Sequence, residues 1–191
     1  MALYPVFLAL RGLPVVIVGG GNVAAGKLAG LLEAGAEVTV VAPEIVPTIR
    51  ARAGSGGAVT LTERAFTPTD LDGARGGVAA ATAAVNREVA AAAASRGLFV
   101  NAVDDPAAAT AYLGGVVRRG GVTVALSTGG DAPALAGLLR EALDQVLPED
   151  LDAWLEVARV ARRQWRTAAV PMAERRPLLL RALVARYGGT S

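Results

Sequence analysis

Val15-Val16-Ile17-Val18-Gly19-Gly20-Gly21-Asn22-Val23-Ala24 is a β-branched run that ends on three glycines and passes into an alanine-rich segment. Such a stretch reads as a buried strand turning into a helix through G-x-G-x-x-A. Each small residue has a task in that turn. Gly19 permits the tight bend, Gly21 lets the backbone approach a pyrophosphate, and Ala24 lets the helix sit close on the strand. The helix start then offers free N–H groups and the positive end of its dipole to phosphates. A glycine turn that only packs is the competing reading. The strand before, the helix after and a second strand at the right distance favour a dinucleotide site.

Outward from this turn, β-branched runs alternate with alanine-rich ones as far as Val103. Strands are expected at Pro14–Val18, Glu37–Val41, Ala58–Thr62, Gly77–Ala81 and Leu98–Val103. Helices are expected over 22–34, 45–53 and 86–96, with a short helical turn near 68–72. This alternation predicts an α/β fold, a Rossmann-like parallel sheet covered on both faces. A second region holds Tyr112–Arg118, a Gly120-Gly121 turn and Val122–Ser127, then a helix opened by Asp131-Ala132-Pro133 and closed by Pro148. From Glu149 to Arg186 two helices are expected, separated near Val170-Pro171, the first with a stripe of Leu151, Trp154, Leu155, Ala158 and Ala161.

The 191 residues are 53% hydrophobic and 19% charged, sufficient for a substantial core. The longest uncharged stretch, Gly12 to Gly26, has fifteen residues, short of the roughly 20 that span a bilayer. The apolar N-terminus is preceded by no basic segment and followed by no small-residue cleavage site, which predicts a cytoplasmic chain without membrane partners. With no cysteine and no histidine, thiolate zinc sites, catalytic thiols and histidine-based triads are excluded. No resident metal site is expected. Proton chemistry falls to carboxylates, Tyr4, Tyr112, Tyr187 or Lys27, the only lysine. From Val157 onward there are eight arginines and one acid, Glu174, a local excess that suits an anionic partner or a solvated helix face. A nucleic-acid contact would need a reading motif and interleaved aromatics, and beyond Trp165 and Tyr187 there are none.

The acid that holds a ribose hydroxyl should lie near Val40–Ala42, where none stands. Glu44 follows slightly late, after Pro43. It serves either the ribose or the first turn of the next helix. No arginine lies between Ala36 and Ile49 to meet a 2′-phosphate, so NAD is expected over NADP. The cofactor set is therefore Gly19, Gly21, Asn22, Val23, Ala24, Pro43 and Glu44. Farther on, Asn101-Ala102-Val103-Asp104-Asp105-Pro106 ends a strand in two carboxylates on the ligand-binding edge of the sheet. That placement suits acid–base chemistry, or else an Asp-Pro turn with one aspartate capping a helix. Ser127-Thr128-Gly129-Gly130 either binds an anion through backbone N–H groups or caps the helix behind it.

In this order, these segments resemble the precorrin-2 dehydrogenase family, which includes bifunctional dehydrogenase/ferrochelatases and the N-terminal module of siroheme synthases. The resemblance rests on Tyr4-Pro5-Val6-Phe7-Leu8, Val18–Ala24, Lys27, Glu33-Ala34-Gly35-Ala36, Asn101–Pro106, Val124–Gly130, Ala132–Ala136 and Leu138-Leu139-Arg140-Glu141. It implies an NAD-binding domain over 1–112, a dimerisation region over 113–147 and a small helical domain over 148–191. It also implies a homodimer with tetrapyrrole sites between the chains. The implied reaction is NAD-dependent oxidation of precorrin-2 to sirohydrochlorin, in some members followed by insertion of ferrous iron as a second substrate. The family's key aspartate falls on Asp104, and Asn101, Asp105, Ser127, Thr128 and Gly129 are expected on the tetrapyrrole.

Two departures stand out. Members usually carry Ala-Thr-Asp-Asp after the fourth strand; here the stretch is Ala81-Thr82-Ala83-Ala84, without an acid. Gly114-Gly115 replaces bulkier residues. A protein that senses a dinucleotide or carries a tetrapyrrole without turnover is the rival reading, and the missing acids are its support.

Overall fold

The computed structural model describes residues 3–54 and 57–187. The chain forms two compact units, Met1–Leu113 and Gly114–Ser191. In the first, β1 (Pro14–Val18), β2 (Glu37–Val41), β3 (Val59–Thr62), β4 (Gly76–Ala79) and β5 (Phe99–Ala102) make a parallel sheet of order β3-β2-β1-β4-β5. Helices α1 (Asn22–Glu33), α2 (Pro47–Ala53) and α3 (Ala83–Ala94) and a 3-10 turn at Pro68–Leu71 connect the strands. The expected Rossmann-like α/β architecture is present.

Alternation along β1 explains why both faces are covered. Val15 and Ile17 join Ala24 and Leu28 of α1 and Ile49 of α2 in one core. Val16 and Val18 join Leu71 and, from α3, Val89, Ala92 and Ala93 in the other. A strand buried on both faces has no polar side to show, hence the unbroken Val-Val-Ile-Val run. The chain leaves β1 toward β2 on one side and returns to β4 on the other, so the strand order reverses at β1. In such sheets the ligand crevice opens beyond the carboxyl ends of the strands at that reversal.

The limits of β1 and β2 agree with expectation residue for residue. Two helix starts differ. The second helix begins at Pro47, because Val46 is drawn into a turn by donating its N–H to the Gly20 carbonyl at 2.9 Å. The third begins at Ala83, ahead of the expected Asn86.

In the second unit β6 (Gly115–Arg119) and β7 (Val122–Leu126) form an antiparallel pair, and α4 (Pro133–Val146) packs on β6. Helices α5 (Leu151–Thr167) and α6 (Met172–Tyr187) pack on each other. Their turn is closed by Arg175, whose Nε and Nη2 donate to the Val170 carbonyl at 3.0 and 2.9 Å. At the other end Trp154 and Tyr187 meet edge-to-face at 6.0 Å, and the Tyr187 hydroxyl donates to the Asp150 carboxylate at 2.9 Å. Among the described residues no helix is long and apolar enough to cross a membrane.

Candidate active site

The turn after β1 is built by exclusion of side chains. Gly19 has φ +129°, and a Cβ there would strike the Ala80 carbonyl oxygen. A Cβ on Gly20 would strike the Glu44 carbonyl oxygen, so the loops after β2 and β4 close on the turn from two sides. Gly21 differs from both. It is the N-cap of α1 with no side-chain cap, and a Cβ on it would meet nothing within 4 Å.

The first N–H satisfied inside α1 is that of Ala25, on the Gly21 carbonyl at 3.0 Å. The N–H groups of Asn22, Val23 and Ala24 therefore point out of the helix end without intrahelical acceptors. Asn22 and Val23 are exposed, whereas Ala24 is fully buried against the sheet. An uncapped helix start, no acid in its first turn and open space before Gly21 fit a pyrophosphate.

Pro43 and Glu44 are exposed in the loop after β2. Glu44 does not belong to the first turn of α2, which contains no acid, so the helix-capping alternative for it falls away. Its backbone is held beside Gly20 by the Val46–Gly20 hydrogen bond. Among the described residues its carboxylate has no protein partner, and it remains available to a ligand hydroxyl.

The two adjacent aspartates have different surroundings. The Asp105 carboxylate accepts the Ala108 N–H at 3.2 Å and so closes a turn; no helix follows for it to cap. Asp104 is exposed, holds φ +57°, and has no hydrogen-bond or ion-pair partner among the described residues. A left-handed backbone at a non-glycine residue is uncommon and costs about 1 kcal/mol or more. Asp tolerates it best among side chains with a carboxylate. The result is an exposed carboxylate just past the carboxyl end of β5, without a partner among the described residues.

Asn101, on β5, donates its amide N–H to the Ala111 carbonyl at 3.0 Å, while its Oδ1 is buried without a partner. It ties down the segment that leaves the sheet edge, where the Thr110 hydroxyl accepts the Val100 N–H at 2.9 Å. In the second unit the Ser127 hydroxyl accepts the Gly129 N–H at 3.1 Å, and the Thr128 hydroxyl accepts the Ala132 N–H at 3.2 Å. Both hydroxyls are therefore engaged in shaping the turn before α4.

Two residues of this region escaped the sequence reading. Gly20, the variable position of G-x-G, is where the second loop presses closest. Asn86, in the first turn of α3, is the one buried polar side chain among the described residues, 3% exposed. Its Oδ1 accepts the Ala81 N–H at 2.9 Å and its Nδ2 donates to the Val103 carbonyl at 3.3 Å. The only sequence signal was an asparagine in an otherwise alanine- and valine-rich helix start. Thr82, Ala83 and Ala84, where an acid is absent, are exposed.

These features define the first unit as a dinucleotide-binding domain, and comparison with known proteins gives the same class. A family model described as "Putative NAD(P)-binding" matches residues 6–115, and the chain belongs to that family. More particularly, it is 41% identical over 173 residues to the siroheme synthase of Citrobacter koseri, covering 90% of this chain and 38% of that protein. It is 39% identical over 183 residues to siroheme synthase 3 of Aeromonas hydrophila, covering 95% of this chain and 39% of the relative. The chain thus spans about two-fifths of the length of these relatives. The solved structure of SirC, precorrin-2 dehydrogenase, superposes with a TM-score of 0.72 at 26% identity, over 94% of this chain and 88% of that one. The family resemblance read from the residues is borne out.

Proposed function

We propose that the chain oxidises precorrin-2 to sirohydrochlorin, with NAD⁺ bound at the Gly19–Ala24 turn and Asp104 as the general base. The single observation that carries this reading is the Asp104 carboxylate, without a partner among the described residues, after β5 and beside β4, the strand whose following loop closes on the nucleotide turn. The likeness to SirC and to siroheme synthases supplies the substrate class.

NAD⁺, when bound, supplies a hydride acceptor. The chain's own work is then positional. The N–H groups of Asn22, Val23 and Ala24 hold the pyrophosphate, and Glu44, beyond β2, accepts from a ribose hydroxyl. A carboxylate at that place repels a 2′-phosphate, which favours NAD over NADP. As a substrate C–H bond gives up its hydride, a proton has to leave the neighbouring centre for the new double bond to form. Asp104 Oδ receives that proton, work that a positioned base speeds by about 10²–10⁴-fold. Asn101 and Asp105 hold the loop that carries Asp104. Ser127, Thr128 and Gly129 are assigned to the tetrapyrrole substrate.

We propose a three-part organisation, with dimerisation through 113–147 and a helical part over 148–191. On α4, Leu135, Leu138, Leu139 and Val146 recur at helical spacing and are exposed, Leu138 by 65% and Val146 by 79%. A bare apolar stripe of this kind supports a homodimer. Among the described residues no group of three or more metal-binding side chains is assembled. Ferrous iron would enter a chelatase reaction on the same carboxylate as a substrate. Anaerobic incubation with precorrin-2 and NAD⁺ tests the proposal, with equimolar NADH and sirohydrochlorin the expected result. Tight tetrapyrrole binding without NADH would instead favour a carrier or sensor.

A further inference from the structure

Asn86 stands where the packing calls for an apolar residue. Its neighbours along α3 are Val85 and Val89, and the core around that helix is valine, leucine and alanine. Burying an amide there is unfavourable unless both its ends are bonded. Both are, and neither partner is on α3.

Its Oδ1 takes the N–H of Ala81, in the loop after β4. The residue before, Ala80, presents the carbonyl against which Gly19 is packed. Its Nδ2 reaches the carbonyl of Val103, the residue immediately before Asp104. Val103 also donates its own N–H to the Ala79 carbonyl at 2.9 Å. Both backbone groups of Val103 are therefore fixed, one by a strand neighbour and one by Asn86, just where the chain turns into the left-handed conformation of Asp104. Asp105 secures the other side of that turn through Ala108.

We infer that Asn86 is a positioning residue: one buried amide ties the loop that backs the nucleotide turn to the loop that aims Asp104, and so sets the base relative to the nucleotide. This rests on the reading of Asp104 as the base. Asn86, 3% exposed and bonded at both ends of its amide, is not placed to meet nucleotide or substrate. A misplacement of about 1 Å in a reacting group lowers turnover by about a hundredfold, so a link of this kind is read in kcat more than in binding.

Two substitutions separate its two ends. Asn86→Asp keeps an acceptor for Ala81 N–H but sets an oxygen against the Val103 carbonyl. It is expected to lower kcat at least about tenfold while the NAD⁺ dissociation constant, read by titration without substrate, stays within about twofold. Asn86→Leu keeps the branching at Cγ, is bulkier and keeps neither bond; it is expected to lower kcat similarly and also to weaken NAD⁺ at least about threefold. Circular dichroism of both variants identifies any loss of fold, and the variant that folds carries the test.

A cycle with Asp104→Ala supplies the readout that a purely structural role would not move. If Asn86 acts through Asp104, adding Asn86→Asp to Asp104→Ala lowers kcat by less than about twofold further. Losses that multiply in the double variant overturn the inference, as does wild-type kcat in a folded single Asn86 variant. Wild-type turnover in Asp104→Ala alone overturns the base assignment itself, and the positioning role with it. Normal turnover of an Asn86 variant beside a crippled Asp104→Ala overturns the positioning role alone.

Discussion

The missing Cβ of Gly20 and the carbonyl oxygen of Glu44 compete for the same space. The turn after β1 and the loop after β2 are thereby locked at van der Waals distance, and the Val46 N–H on the Gly20 carbonyl fastens them. Gly21, one residue on, faces open space. Neighbouring glycines thus have opposite reasons to be glycine, and substitution tells them apart.

Gly20→Ala forces a methyl into a backbone carbonyl and is expected to cost about 2–3 kcal/mol of stability. Gly21→Ala is expected to melt within a degree or two of wild type yet bind NAD⁺ about tenfold more weakly, because its methyl enters the space left for the pyrophosphate. Thermal melts paired with NAD⁺ titrations check both. A Gly21→Ala protein with unchanged NAD⁺ affinity would contradict the placement of the nucleotide.

Glu44→Gln removes the charge that meets a ribose hydroxyl and repels a 2′-phosphate. The expected outcome is an NAD⁺ to NADP⁺ preference reduced by about tenfold, or about 1.4 kcal/mol. Parallel titration with the two nucleotides measures it. An unaltered ratio would remove Glu44 from the site.

The α5–α6 hairpin carries a pH dependence of its own. The Tyr187 hydroxyl, donating to Asp150, holds that carboxyl below its ordinary range, with Arg186 assisting and burial opposing. A carboxyl whose folded pKa is lowered adds stability above its unfolded value of about 3.9, and that stability is lost as pH falls through the folded value. Tyr187→Phe is expected to be less stable than wild type at neutral pH. It should also lose less on acidification below about pH 4. Denaturant melts at several pH values follow the difference, and parallel curves for the two proteins would refute it.

Much of the architecture was legible because β1 and β2 are continuous β-branched runs bounded by glycine, proline or charge. Their ends follow from composition. The start of α3 was harder, since Ala83-Ala84-Val85 carries no periodic signal and its N-cap Thr82 makes no side-chain cap. Glu44's two readings could not be separated until the loop around Val46 was seen to delay α2. The unequal surroundings of Asp104 and Asp105 depend on one backbone angle, φ +57° at Asp104, which two identical residues in sequence cannot announce. Asn86 illustrates the same limit. A polar residue in an alanine-rich helix reads as a solvated one, and only the tertiary neighbours Ala81 and Val103 turn it inward.

Anaerobic turnover of precorrin-2 by the wild type and by Asp104→Ala, side by side with saturating NAD⁺, decides whether Asp104 is the base of an NAD-dependent oxidation. Equimolar NADH and sirohydrochlorin are expected from the wild type. A fall of about 10²-fold or more is expected in the variant, with NAD⁺ binding preserved. Equal rates from the two proteins, or no NADH from either, would contradict that role.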